Sequence, residues 1–153
     1  MRGPRWQGWA LGGYVRNDHQ TMLFNSRPIA ADLGLLVLRI SAGGTMLLQH
    51  GWPKLAHFAD HMEEFSDPLG ISAPVSLALI VFAEFFCSIL VVLGTWTRAA
   101  LVPLLIGMGV IVFVVKSGQA FGDRELPVLY LCAFLTLFFT GSGRYSVDRI
   151  SFR

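Results

Sequence analysis

The sequence predicts an all-α fold: a membrane-embedded, up-down bundle of four transmembrane helices with both termini in the cytoplasm. Three observations carry this expectation. Hydrophobic residues make up 54% of the 153 and charged residues only 14%, against roughly 25% charged in ordinary globular domains. The apolar residues gather into four runs, at about 33–50, 75–93, 99–115 and 126–140. Lys and Arg are spread unequally over the segments between those runs.

Each run reads as a helix, because backbone polar groups in lipid must be satisfied within the segment. At a rise of about 1.5 Å per residue the runs cover about 22–29 Å, near the hydrocarbon thickness once interfacial residues are added. Gly51 and Pro53 are expected to end the first helix. Ser72 and Pro74 fit the N-cap and first turn of the second, and Gly94 its end. Pro103 predicts that the third helix starts late or bends slightly. Pro127 fits the first turn of the fourth, where a missing N–H does no harm, and Gly141 closes that helix. The turns after the second and third runs are short, so consecutive helices should be antiparallel neighbours.

Orientation follows from the cations. With four spans, Arg2, Arg5, Arg16, Arg27, Arg98, Arg144, Arg149 and Arg153 share one side, and Lys54, Lys116 and Arg124 the other. Eight against three places the first side in the cytoplasm. Residues 1–28 then form a poorly ordered cytoplasmic tail, with no continuous apolar stretch of the secretory kind. Residues 29–153 form the four-helix domain, with an interfacial segment at about 53–66. A net charge of +2 without a basic cluster gives no indication of nucleic acid. Cys87 and Cys132 lie inside apolar runs, where free Cys serves as a small packing residue. No nucleotide-binding, zinc-protease or hydrolase motif is present, and no transporter-like repeat is discernible.

The chemistry-bearing residues are the ionisable ones in apolar sequence. Arg39 lies in LGLLVLRISAGGTMLL and Glu84 in VSLALIVFAEFFCSILVV. A charge near the bilayer centre costs roughly 2.5–3.5 kcal/mol on insertion scales, so such residues face the interior and find a partner. Their depths in neighbouring antiparallel spans predict an Arg39–Glu84 ion pair. The pair either fixes helix register or lines a polar pocket for a quinone head group, an anion or a proton. Just beyond the first run, His50, Lys54, His57 and His61 recur at helical spacing, and His50 with Lys54 marks a cationic mouth. His57, His61 and Glu64 form a weak candidate metal set; solvated interfacial histidines are the simpler reading. Arg98 reads as a cytoplasmic anchor. Glu125 opens the fourth helix or joins the mouth.

In order along the chain, LGLLVLRISAGGTMLLQHGWPKL, AEFFCSILVVLGTWTRAA and the closing GSGRYSVDR resemble the DoxX family of small membrane proteins. The resemblance covers roughly residues 31–150 and rests on the Arg of the first span, HGxxK at its end, the Glu of the second, GxxTR after it, and the Gly-rich close. Ser142 stands where the family's closing turn usually has Pro. The resemblance implies a four-helix protein of a bacterial or archaeal inner membrane. Its named relatives include a subunit linked to quinol oxidase and thiosulfate:quinone oxidoreductase activity, and membrane partners of oxidative-stress and thiol-handling proteins. It carries over a candidate polar core of Arg39, His50, Lys54, Glu84, Arg98 and Glu125.

Three functional readings are open. The first is a membrane subunit or accessory of a redox system, with quinone or quinol as substrate and Arg39, His50 or Lys54 as donors to its carbonyls. If catalytic, such a chain belongs to a quinone-linked oxidoreductase complex and needs a protein partner as electron carrier, since the sequence shows no cofactor of its own. The second is a small transporter or proton-conducting module, which at this size requires homo-oligomers. The third is a non-catalytic membrane scaffold or assembly factor. All three place the chain in the lipid bilayer.

Overall fold

The computed structural model describes residues 30–62 and 65–151; the expected tail of residues 1–28 lies outside them. Among the described residues the chain is helical throughout, with no strand. Helix α1 spans Ala31–Ala56 and is followed by the short α2, Phe58–Met62. Then come α3, Ala73–Leu93, α4, Thr97–Val115, α5, Phe121–Thr140, and a short α6, Val147–Ser151. The four long helices α1, α3, α4 and α5 each pack against the next, and α5 closes back on α1.

Three of them, α1, α3 and α4, are long and apolar enough to cross a membrane. Helix α5 has comparable length, but Asp123, Arg124 and Glu125 occupy its first turns. The surface is inverted relative to a water-soluble bundle. Phe113 is 70% and Phe139 74% exposed, whereas Arg39 and Glu84 are each 1% exposed. Lipid tails are as apolar as Leu, so helix association rests on close packing and small residues. Ala42, Ala83 and Ala100 are buried between helices, and a β-carbon on Gly43 would come within 2.9 Å of Val92.

The helix ends follow the sequence in part. Ser72 is the N-cap of α3, Pro74 sits in its first turn, and Gly94 ends it in the left-handed conformation at φ 71°. The α3 start is held by Asp67, which accepts from the N–H groups of Ile71 (3.1 Å) and Ser72 (2.7 Å) and from the Ser76 hydroxyl (2.8 Å). The Ser72 N–H, the Ser76 hydroxyl and the Ile71 N–H hold the Asp67 carboxyl below the usual carboxylate range.

Two expected boundaries, at Pro53 and Pro127, are corrected, and at Pro103 one of two alternatives is removed. Helix α1 does not end at Gly51 and Pro53 but continues to Ala56. The reason is a π-helical turn over Met46–Gly51, in which the Trp52 N–H donates to the Leu47 carbonyl, five residues back. A widened turn before Pro53 relieves the clash that a proline ring makes with the carbonyl four residues earlier. The break falls at His57 (φ −113°, ψ 36°), before the short α2. Helix α4 does not start late: it begins at Thr97 and carries Pro103 inside. Pro127 lies inside α5 rather than in its first turn, because that helix starts at Phe121.

Candidate functional site

The site is set by how closely α1 approaches α3. A β-carbon on Gly51 would lie 2.5 Å from the carbonyl oxygen of Glu84, so only glycine permits this approach. Both helices are π-helical at the contact, α1 over Met46–Gly51 and α3 over Phe82–Cys87. Such turns interrupt the regular ladder and recur at functional positions. Here one carries His50 and the other Glu84.

With Gly51 level with Glu84, Lys54 lies one turn further along α1 and its ammonium pairs with the Glu84 carboxylate. The Glu84 side chain is essentially buried and the Lys54 side chain only partly so. Leaving either charge unpaired here would be costly, because the desolvation cost stays and the attraction is lost.

The expected Arg39–Glu84 pair is absent. The same packing places Gly43 beside Ser88 and Val91, and Arg39 beside Gly94. Arg39 is therefore ten residues along α3 from Glu84, about 15 Å at helical rise. The expectation fails because the close approach of Gly51 to Glu84 sets the register of the two helices, which leaves Arg39 level with the end of α3. Arg39 instead donates through Nη1 to the Ser142 carbonyl (2.9 Å) and through Nη2 to the Tyr145 carbonyl (2.5 Å). Its guanidinium occupies the space that a side chain on Gly94 would need. Arg39 thus clasps the segment after α5 to the bundle.

Beside the Lys54–Glu84 pair is a cavity of about 520 Å³ between α3, α4 and the 65–72 segment. Leu79, Ile80, Ala83, Pro103, Ile106 and Ile111 are among its walls, Ser66 and Ser76 also border it, and Lys54 is its charged lining residue. A volume in the range of about 300–1,000 Å³ with apolar walls and few polar groups is typical of small-molecule sites. On the other side of the pair, the His50 ring sits edge-on to Tyr130 with centroids 5.7 Å apart. The Tyr130 hydroxyl donates to Thr45 Oγ1 (3.0 Å).

The DoxX family profile matches residues 34–117, more than half of the chain. The chain belongs to the DoxX family. No curated protein and no solved structure matches it.

The DoxX match contains Arg39, His50, Lys54, Glu84 and Arg98 and stops before Glu125. Within the DoxX bundle these residues separate into two ends. His50, Lys54 and Glu84 come together, whereas Arg39 and Arg98 lie towards the turn between α3 and α4. Glu125 is exposed on the first turns of α5 and makes no ion pair among the described residues. His57 and His61 are exposed on or beside α2, and His57 Nδ1 lies 3.4 Å from Asp60. Glu64 falls outside the described residues, and among those described no group of three potential metal ligands forms. Trp52 and Trp96 are exposed at helix ends, as interfacial residues should be.

Sequence reasoning missed Asp148, which binds the DoxX bundle's opposite end. Its carboxylate accepts from the N–H groups of Trp96 (2.7 Å) and Thr97 (3.1 Å) and from Thr97 Oγ1 (2.9 Å). Partial burial pushes this carboxyl up, but the Thr97 and Trp96 donors and the nearby Arg39 outweigh it and hold it below the usual range. The signal was the acid in GSGRYSVDR together with Thr97, which lacked a local cap.

Proposed function

We propose that this DoxX chain is the membrane subunit of a redox system and binds a quinone or quinol in the cavity between α3 and α4. The observation that carries this reading is that Lys54, already paired with the buried Glu84, is the charged residue of an otherwise largely apolar cavity. The pair has no net charge, so the site suits a neutral head group that accepts hydrogen bonds, with an apolar tail along α3 and α4. An anionic head would meet the Glu84 carboxylate without compensation. In this reading the Lys54 ammonium donates to a quinone carbonyl, and Glu84, which does not itself line the cavity, exchanges protons with the head group through Lys54. Reduction to quinol takes two electrons and two protons; a protein partner supplies the electrons. In this reading α5 is the fourth span, both termini face the cytoplasm, and the membrane is a bacterial or archaeal inner membrane.

The test is ligand-dependent stabilisation of the purified protein, since a ligand that binds only the folded state raises its melting temperature. Short-chain ubiquinone and menaquinone analogues should raise it, and Lys54→Met should abolish the shift. No shift across several quinones would overturn the reading. Proton flux through proteoliposomes that vanishes in Glu84→Gln would replace it with conduction.

A further inference from the structure

At the end of the bundle away from Glu84, a second cleft of about 550 Å³ opens between the first turn of α4 and the end of α5. Trp96, Thr97, Arg98, Gly141, Ser142 and Asp148 line it. Its charges are not equally available. Both oxygens of Asp148 are occupied by Trp96 and Thr97 donors, and Arg39 acts on the same carboxylate. The Ser142 carbonyl is taken by Arg39. Arg98 is exposed, and among the described residues it makes no hydrogen bond or ion pair. One of its terminal nitrogens lies 3.8 Å from where a side chain on Gly141 would begin, so the guanidinium lies against the cleft wall.

The surroundings select the kind of anion. Trp96, beside Arg98, is 68% exposed, and Tyr145 is also exposed; amphipathic rings of this kind favour the headgroup level of a bilayer. Arg144 and Arg149 add exposed positive charge at the same end. Along α4, Val102 and Ile106 follow Arg98 at intervals of four and are exposed, which makes an apolar track on the same helix face. A guanidinium fork matches phosphate geometry, and basic pockets between membrane helices hold lipid phosphates.

We propose that this cleft binds the phosphate of an anionic phospholipid, with Arg98 as the donor, Trp96 at the headgroup level and an acyl chain along Val102 and Ile106. The shared chemistry is a phosphate; the apolar track assigns it to a lipid rather than a soluble anion. The inference does not rest on Lys54, Glu84 or the quinone reading, although Ile106, at the end of the track, also borders the first cavity.

The experiment titrates the full chain, in neutral detergent, with phosphatidylglycerol and with phosphatidylcholine of the same acyl chains, read by thermal stability and tryptophan fluorescence. Phosphatidylglycerol should half-saturate at a concentration about fivefold lower, the effect of one Arg at an anionic surface. Arg98→Gln should remove that preference, while Arg149→Gln retains it. Arg98→Lys should keep part of the preference, because charge remains and the fork is lost. Equal responses to the two lipids overturn the proposal, as does a preference that survives Arg98→Gln. If inorganic phosphate alone reproduces the shift, the site serves a soluble anion and the lipid assignment falls.

Discussion

Gly51 and Glu84 meet backbone to backbone, so closely that a β-carbon on Gly51 would lie 2.5 Å from the Glu84 carbonyl oxygen. This contact fixes the α1–α3 register, and the register puts Lys54 rather than Arg39 against Glu84. Gly51→Ala should therefore push the two π-helical turns apart and strain the ion pair. The expected cost is about 1–3 kcal/mol, the usual range for overpacking. Gly44, with nothing within 4 Å of its β position, provides the control: Gly44→Ala should be neutral or slightly stabilising. Thermal unfolding of both variants in the same detergent checks the difference.

Lys54 and Glu84 should behave as a unit. Lys54→Met leaves a buried carboxylate without its partner, which typically costs about 3–5 kcal/mol. Adding Glu84→Gln to Lys54→Met removes the uncompensated charge and should recover much of that loss. A double-mutant cycle on unfolding free energies reads the coupling directly. Additive single-variant effects would show that the pair contributes nothing as a pair.

The fold was legible because lipid leaves few options: the apolar runs read as helices, and Ser72, Gly94 and Gly141 mark their ends where expected. Arg39, Lys54 and Glu84 stood out in the sequence as ionisable residues in or beside apolar runs, but their contacts did not. Pro53 signalled a break, and the π-helical turn before it carries α1 through to Ala56 instead. Local propensity does not encode that turn; it comes from the packing of Gly51 on Glu84. The register set by that packing, rather than the depths read from the apolar runs, decides every partner along α1. Arg39 then needed acceptors at the far end of the bundle, and these are main-chain carbonyls of Ser142 and Tyr145. Carbonyl acceptors leave no mark in the side-chain sequence, so only the structure reveals them.

Arg39 should act as a clasp for the C-terminal segment. Its two donors reach two carbonyls at once, which the single ammonium of lysine cannot do in the same geometry. Arg39→Lys should keep the charge but lose one bond, at about 1.5–3 kcal/mol for a hydrogen bond to a charged group. Hydrogen–deuterium exchange should rise over residues 142–148 and remain unchanged around Lys54 and Glu84. Unchanged exchange over residues 142–148 would mean that Asp148 and the Asp32 carboxylate, which accepts from the Arg144 N–H (2.9 Å), hold the segment without Arg39.

Asp148 and Asp67 both have carboxyls held below the usual range in the folded protein, and this sets the direction of the pH response. A depressed carboxylate stabilises the fold above its unfolded pKa, near 4, and that contribution is lost as pH falls through the lower folded value. The contribution of these two carboxylates to the melting temperature should therefore be constant above about pH 5 and be lost progressively below about pH 4. Asp148→Asn should melt lower than wild type at pH 7, because one carboxylate oxygen becomes a donor facing either the Trp96 or the Thr97 N–H. The same variant should lose less on acidification, because one of the groups that must be protonated is gone. Melting curves for wild type and Asp148→Asn between pH 3 and 7 test both parts, and parallel curves would remove Asp148 from the acid response.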